Sequence, residues 1–379
     1  MVVRKAFQFR LKLTKKQARA LEQQRKECCW LYNELLAQRK LAYQELDLTL
    51  TKYQQLMFLP ELKNERKSLC TVHSQVLQNV VDRLDKAFQG FFRRCKLGEK
   101  PGFPRFRNVD RYISFCYPQS GFVLEGNQLK LSKVGSLRVV MHRPIGGTVK
   151  TCTLRKSAAG AWSVSFSCEV ETSFLPANDK VVALDVGIEY FATTSDDQTI
   201  ASPRFFKKGE KKLAKAQRKM DGLQKGSPAR KKQRLVVAKV HEKIRNQRND
   251  FCHQKSRQII NDYQYICVED LNIQKMQQEA SRPLARSIAD ASWYQFRQFL
   301  IYKAEEAGRR VEVVNPAYTS QRCSCCSNVA VKELSQREHI CVLCGYRAHR
   351  DLNAAQNILA LGLDGLGVSP RSPRLQASE

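Results

Sequence analysis

Two cysteine pairs, Cys323-x2-Cys326 and Cys341-x2-Cys344, stand 14 residues apart near the end of a 379-residue chain. No other stretch limits its local fold so tightly. Each pair makes a knuckle, and two knuckles can present four thiolates as the tetrahedron that Zn²⁺ accepts in a closed structural site. The gap is one residue short of the usual window of ~15–20, which a shorter hairpin accommodates. Cys325 sits inside the first pair and is the spare thiol, because adjacent side chains cannot both enter one knuckle. A zinc ribbon over residues 319–347, with Zn²⁺ as structural cofactor, is the expectation. The remaining nine of 14 cysteines are scattered from Cys28 to Cys267 and read as small buried hydrophobes.

The charge balance narrows the partners. Lys and Arg number 65 against 36 Asp and Glu, a net +29, on a chain whose 42% hydrophobic content marks a globular protein. An excess of that size points to a polyanion, with nucleic acid the commonest. The N-terminus MVVRKAFQFRLKL lacks the apolar run of a signal peptide. Nor does any later run reach the ~18 apolar residues of a membrane span, so no membrane partner is expected and the chain reads as soluble and intracellular.

Period-two alternation of Phe7, Phe9, Leu11 and Leu13 predicts a half-buried strand over 6–13, with Thr14 as N-cap of the helix that follows. The apolar face of that helix includes Leu21, Cys28, Leu31, Tyr32 and Leu35. Helical patterns run to about Arg94, with Val76, Val80, Leu84 and Phe88 on one stripe, until Pro101, Gly102 and Pro104 break them. From Tyr112 to Val170 the period becomes two, in short runs such as YISFCY, FVLEG, QLKLS, SLRVVM and WSVSFSCEV. These suggest a small antiparallel sheet or barrel, joined by the first strand and leaving the helices as an insertion. LPANDK, at 175–180, reads as a linker.

A new unit starts at Lys180 with three strands in KVVALDVGIEYFATTSDDQTIASP. Residues 207–248 follow in helical pattern with 16 Lys or Arg against 3 Asp or Glu, a net +13. A hairpin so charged repels itself unless an anion lies alongside, so its Lys207, Lys208, Lys211, Lys212, Arg230, Lys231, Lys232 and Arg234 are candidate nucleic-acid contacts. YQYICVEDLNI is a fourth strand, SWYQFRQFLIYKAEEAGRR a helix, VEVVNP a fifth strand and DLNAAQNILALGL the last helix. Residues 365–379 are rich in Pro, Ser and Gly and read as a disordered tail.

Asp185 lies in the apolar strand VVALDVG, where a charge is costly unless paired or bound to metal. Glu269 ends the strand YICVEDL, and Asp351 opens the last helix. Alone, these acids could be a paired core residue, a solvated strand end and a helix cap. The order of strands and helices matches an RNase H-like plan, in which all three converge on one sheet edge. Three carboxylates there can hold two Mg²⁺ ions for phosphodiester hydrolysis.

The segments LDVGIEYFAT, VEDLNI, SWYQFRQFLIYKAE, YTSQRCSCC, CVLCGY and HRDLNAAQNIL, with KAFQFRLKLTKKQ, WLYNELL and KPGFPRFR, resemble the TnpB (OrfB) family of bacterial insertion sequences over nearly the whole chain. That resemblance implies an RNA-guided DNA endonuclease of a transposable element, related to type V CRISPR effectors, with a guide RNA and target double-stranded DNA as partners. It implies an α+β multidomain chain: a wedge β-barrel at 1–13 and 107–178, a helical recognition lobe at 14–106, and a RuvC-like α/β nuclease domain at 179–318 and 348–364. The nuclease domain carries the zinc ribbon as an insertion. Its catalytic, Mg²⁺-binding acids map onto Asp185, Glu269 and Asp351, and a reader of the target-adjacent motif onto Gln78. The expected place is the bacterial cytoplasm, at the nucleoid. Ser327 departs from the family's glycine after the second cysteine, and Cys325 is also unusual there. A DNA cutting-and-joining transposase and a non-catalytic nucleic-acid-binding regulator are the competing readings.

Overall fold

A computed structural model describes residues 2–330 and 336–366, in two compact units divided after Glu171. In the first unit, β1 (Val2–Lys12) turns Phe9 and Leu11 inward, as the alternation requires. Thr14 then accepts from the backbone N–H of Gln17, whose side chain accepts from that of Thr14 at 2.8 Å. This reciprocal cap starts α1 (Lys15–Leu46), which ends at Asp47 in the left-handed conformation. Two short helices, α2 (Lys52–Met57) and α3 (Leu59–Glu65), lead to α4 (Ser74–Lys96). The expected stripe of Val76, Val80, Leu84 and Phe88 is buried along α4.

The strands β2 (Ser114–Tyr117), β3 (Phe122–Glu125), β4 (Gln128–Leu131), β5 (Gly135–Val140), β6 (Thr148–Lys156) and β7 (Trp162–Glu171) join β1 in one antiparallel sheet. Its order is β2-β6-β7-β1-β5-β4-β3, barrel-like with β2 and β3 as its ends. Strand β1 lies in the middle, so the α1–α4 helices are an insertion within the sheet, as expected. Strand β6 is an addition to the expected runs. Only Cys152 and Leu154 of TVKTCTLRK are fully buried, and the exposed Lys150, two residues before Cys152, cuts the alternation short.

The second unit opens with β8 (Val181–Asp185), β9 (Tyr190–Thr194) and β10 (Thr199–Ala201), then a helical hairpin, α5 (Phe205–Asp221) and α6 (Pro228–Asp262). Strand β11 (Tyr265–Glu269) follows, then α7 (Ile273–Glu279), α8 (Arg282–Ala291), α9 (Trp293–Ala307) and β12 (Arg310–Val314). The short pair β13 (Glu338–Ile340) and β14 (Arg347–His349) leads directly into α10 (Arg350–Leu366). The sequence pattern predicts one helix between the fourth and fifth strands, where the structure has three. Helix α7 buries no residue and α8 buries only Ile288, and at seven and ten residues both are too short to stand out in the sequence.

The main sheet has the order β10-β9-β8-β11-β12, with β8, β11 and β12 parallel and β9 and β10 antiparallel. Its strands are covered on both faces. Val182, Leu184, Ile266 and Val268 pack with Cys252, Ile259 and Ile260 of α6 and Phe296, Leu300 and Ala304 of α9. The alternate residues Ala183 and Cys267, with Val314, pack with Ile358 of α10. Gly362 explains how closely α10 lies on the sheet, because a Cβ there would collide with the Cys267 sulfur. The segment expected as a disordered tail is helical through Leu366, and residues 367–379 lie outside the described residues. No helix among the described residues is long and apolar enough to cross a membrane.

Candidate active site

The backbone register aligns the first two acids. Val268 pairs with Leu184 in the parallel β8–β11 ladder, so Asp185 and Glu269 are the next residues along neighbouring strands, ~4.8 Å apart. Both lie two positions beyond Ala183 and Cys267, which face α10, and side chains alternate along a strand. They therefore face the same helix. Asp351 stands seven residues before Ile358, two turns back on one face of α10. Its place in the first turn also sets a negative charge against the positive end of the helix dipole.

Electrostatics shows the same convergence. Burial, and then the neighbouring Glu269 and Asp351 carboxylates, hold the Asp185 carboxyl well above the usual carboxylate range, with Arg350 acting against them. Burial likewise raises Glu269, opposed by a hydrogen bond that the Thr319 hydroxyl donates to its Oε1 at 2.6 Å. Arg297 of α9 anchors the strand end, donating to the Glu269 carbonyl at 3.2 Å and to Asp270 Oδ1 at 2.6 Å. His349 Nδ1 lies 3.9 Å from Asp351 Oδ2. A half-buried group of like charges is what a divalent cation relieves, and carboxylate oxygens suit Mg²⁺. The three acids are nonetheless spread more widely than a single-ion shell. Among the described residues only Cys323, Cys326, Cys341 and Cys344 form a group with ligand atoms all within 4.8 Å of one another.

In that cysteine group Sγ atoms lie 3.7 Å apart for Cys323 and Cys344 and 3.5 Å for Cys326 and Cys341. A tetrahedron with metal–sulfur bonds of ~2.3 Å has edges of ~3.8 Å, so the donor set fits zinc. Backbone N–H groups of Cys344 and Leu343, with the neighbouring cysteines, hold the Cys341 thiol below its usual value, while hydrogen bonds shared within the cluster leave Cys326 and Cys344 raised. The two knuckles share one geometry. Ser327 N donates to Cys323 O and Gly345 N to Cys341 O, each at 2.9 Å, and both donors have positive φ, 62° and 74°. Ser327 thus adopts the conformation for which glycine is suited, and the first knuckle keeps its shape at the cost of local strain. Cys325 is exposed, outside the cluster.

The cysteine segment is fastened to α10 by amides. The buried Asn353 accepts from Ser324 N at 2.9 Å and donates to Arg322 O at 2.8 Å. Asn357, also buried, donates to Thr319 O at 2.8 Å and Arg322 O at 2.7 Å. Gln356 Oε1 accepts from Ser324 Oγ at 2.7 Å and from the Tyr346 hydroxyl at 2.9 Å. These residues lie at i, i+3 and i+4 and make one polar face of the helix.

Residues 165–280 match the OrfB model described as "Probable transposase", 293–358 one described as "Cas12f1-like, TNB domain", and 1–47 one described as "Helix-turn-helix domain". The last match covers one strand and one uninterrupted helix here. The "Putative RNA-guided DNA endonuclease InsQ" of Escherichia coli K12 is 33% identical over 376 residues, 94% of this chain and 92% of that protein. The chain belongs to the TnpB (OrfB) family. A "Putative RNA-guided DNA endonuclease" of Streptomyces pristinaespiralis is also 33% identical, over 97% of this chain and 93% of its own. The "CRISPR-associated endodeoxyribonuclease Cas12f1" of Sulfoacidibacillus thermotolerans is 29% identical over 61% of this chain and 58% of its own.

In this TnpB-family chain the basic hairpin closes on Leu213, Ala216, Val237, Val240 and Ile244, leaving Lys207, Lys208, Lys211, Lys212, Lys231, Lys232 and Arg234 exposed. Arg230 differs from them. Its guanidinium donates to Met220 O at 2.7 Å and Leu223 O at 2.8 Å, closing the turn between the helices. Gln78 is exposed on α4. Thr319, Asn353, Gln356 and Asn357 are functional positions that the sequence pattern does not mark. Their signal was faint: asparagine is a poor helix former, and two of them four apart inside a helix imply a partner.

Two outcomes follow from this geometry. Replacing Ser327 with Gly removes the left-handed strain, so the metal-loaded protein gains about 1 kcal/mol in chemical denaturation. Asp185, raised by folding, contributes stability that is complete below its unfolded pKa and lost as pH rises through the folded value. Metal-free wild type should therefore lose stability as pH climbs above ~4, with a shallower loss in Asp185→Asn and a higher melting temperature for that variant at neutral pH.

Proposed function

We propose that the chain is an RNA-guided DNA endonuclease of a transposable element, cutting phosphodiester bonds at a RuvC-like site made by Asp185, Glu269 and Asp351. The observation that carries the reading is the near full-length match, at 33% identity, to two proteins named for RNA-guided DNA cutting. The strand order β10-β9-β8-β11-β12, with acids at the ends of β8 and β11 and in the first turn of α10, supports an RNase H-like plan. Asp185 is the central ligand in this reading, raised by burial and by both other acids. When bound, two Mg²⁺ ions supply an activated water and charge stabilisation at the leaving oxygen. The protein's part is to hold three carboxylates at one edge, exclude bulk water from them and orient Glu269.

Cys323, Cys326, Cys341 and Cys344 hold a structural Zn²⁺ that cross-links the segment between β12 and α10. Guide RNA pairing with one strand of target DNA supplies sequence specificity, and the protein contributes charge and duplex shape. The exposed lysines of the α5–α6 hairpin suit phosphate contacts, and Gln78 is proposed as a reader of the target-adjacent motif. The same reading puts the protein in the bacterial cytoplasm at the nucleoid.

The test is expression with the native flanking DNA, sequencing of bound RNA and incubation with a matched plasmid. Wild type should carry a discrete RNA and cut in Mg²⁺. Asp185→Ala should carry the same RNA and lose at least about 10²-fold in rate, as should wild type in EDTA. Strand joining without RNA would instead mean a transposase, and unchanged activity in Asp185→Ala would mean that the chemistry lies elsewhere.

A further inference from the structure

Thr319 is buried and lies four residues before the first zinc-knuckle cysteine, in the turn after β12. We propose that it is a positioning residue for the metal-dependent site: its hydroxyl fixes one carboxylate oxygen of Glu269, leaving the other as the metal ligand. The inference rests on the nuclease reading above and deepens it.

The hydroxyl lies 2.6 Å from Glu269 Oε1 and 3.1 Å from Pro316 O. It has one proton to give, and an ionised carboxylate can only accept. The shorter distance is that of a charge-assisted bond, so the proton belongs to Glu269, with the Pro316 carbonyl a weaker alternative. A glutamate at a strand end is free about three side-chain torsions. Tying one oxygen removes most of that freedom before any ion arrives, and pre-orientation of this kind determines how tightly a carboxylate site binds metal.

Thr319 is itself held from two sides. Its turn begins beside Glu269, because Glu269 pairs with Val314 and Asp270 N donates to Val314 O at 2.8 Å. Tyr318, immediately before it, is left-handed at φ 66°, which turns the chain back. Asn357 of α10 then grips the Thr319 carbonyl at 2.8 Å. One helix therefore sets two of the three acids: it carries Asp351 in its first turn and reaches Glu269 through Asn357 and Thr319.

The comparison is Thr319→Val, which keeps the shape and removes the hydroxyl, against Thr319→Ser, which keeps the hydroxyl. Thr319→Cys, of similar size and a weak donor, replaces the valine variant should that fail to fold. Zinc content and melting temperature monitor the fold. One readout is the Mg²⁺ concentration for half-maximal cutting by the RNA-loaded chain. The other is Mn²⁺ binding to the full chain without nucleic acid, followed by electron paramagnetic resonance of the free ion. In Thr319→Val both midpoints should rise about ten-fold while the rate at saturating Mg²⁺ largely recovers, and Thr319→Ser should stay near wild type. Unchanged midpoints in Thr319→Val, or a rate loss at every Mg²⁺ concentration with unchanged Mn²⁺ binding, would overturn the role. A Glu269→Gln control separates the two ideas. If it cuts like wild type, the active-site reading itself is wrong. If it is inactive while Thr319→Val matches wild type, only the positioning role falls.

Discussion

Like charges gathered at one sheet edge push apart the elements that carry them, and the push on α10 is opposed by amides. Asn353 and Asn357 are buried and hydrogen-bonded to backbone of the segment at 319–324, and Gln356 adds two bonds from Ser324 and Tyr346. A buried amide left without its partners costs about 1–3 kcal/mol, so several such bonds together hold the helix against the sheet. The apolar contact of Ile358 with Ala183 and Cys267, and the missing side chain at Gly362, bring the same helix close. The helix that carries Asp351 is thereby held where the Asp185 carboxyl senses its charge.

The ribbon's place in the chain follows from this. It is inserted between β12 and α10, so the connection to the last helix is long and would be costly to order by itself. Four thiolates closing on one ion would shorten that connection, and metal binding would then be part of the folding free energy of the segment. Ser327 shows how strongly the knuckle geometry is imposed, since a serine accepts the left-handed backbone that the matching Gly345 adopts freely. In this account the structural metal has no chemical step of its own. Its proposed part is to fix the loop on which Thr319 and the helix both depend.

The gathering of the cysteines, and of the acids, was legible because each is out of keeping with its local surroundings. An aspartate in an apolar strand and two closely spaced cysteine pairs call for partners wherever they occur; Asp185 has Glu269, Asp351 and Arg350 near it, and the four sulfurs cluster. The order of strands and helices was legible from periodicity. Residues whose meaning arises only from distant contacts were not. Thr319 meets Glu269 across 50 residues of chain, and Asn353 reads as any polar helix residue until Arg322 and Ser324 are beside it. Helices α7 and α8 are short and have one buried residue between them, so neither offers a run of core positions long enough to stand out. Arg230 reads as one more basic residue in a basic hairpin, although its guanidinium closes the turn.

The most direct test of the central claim, that the three acids make one divalent-cation site held by the ribbon, is anomalous scattering from crystals of the full chain soaked in Mn²⁺. The account predicts manganese bonded to the Asp185 carboxylate and shared with Glu269, Asp351 or both, with zinc at the four cysteines. Manganese bound away from Asp185, or coordinated by none of the three acids, would contradict it.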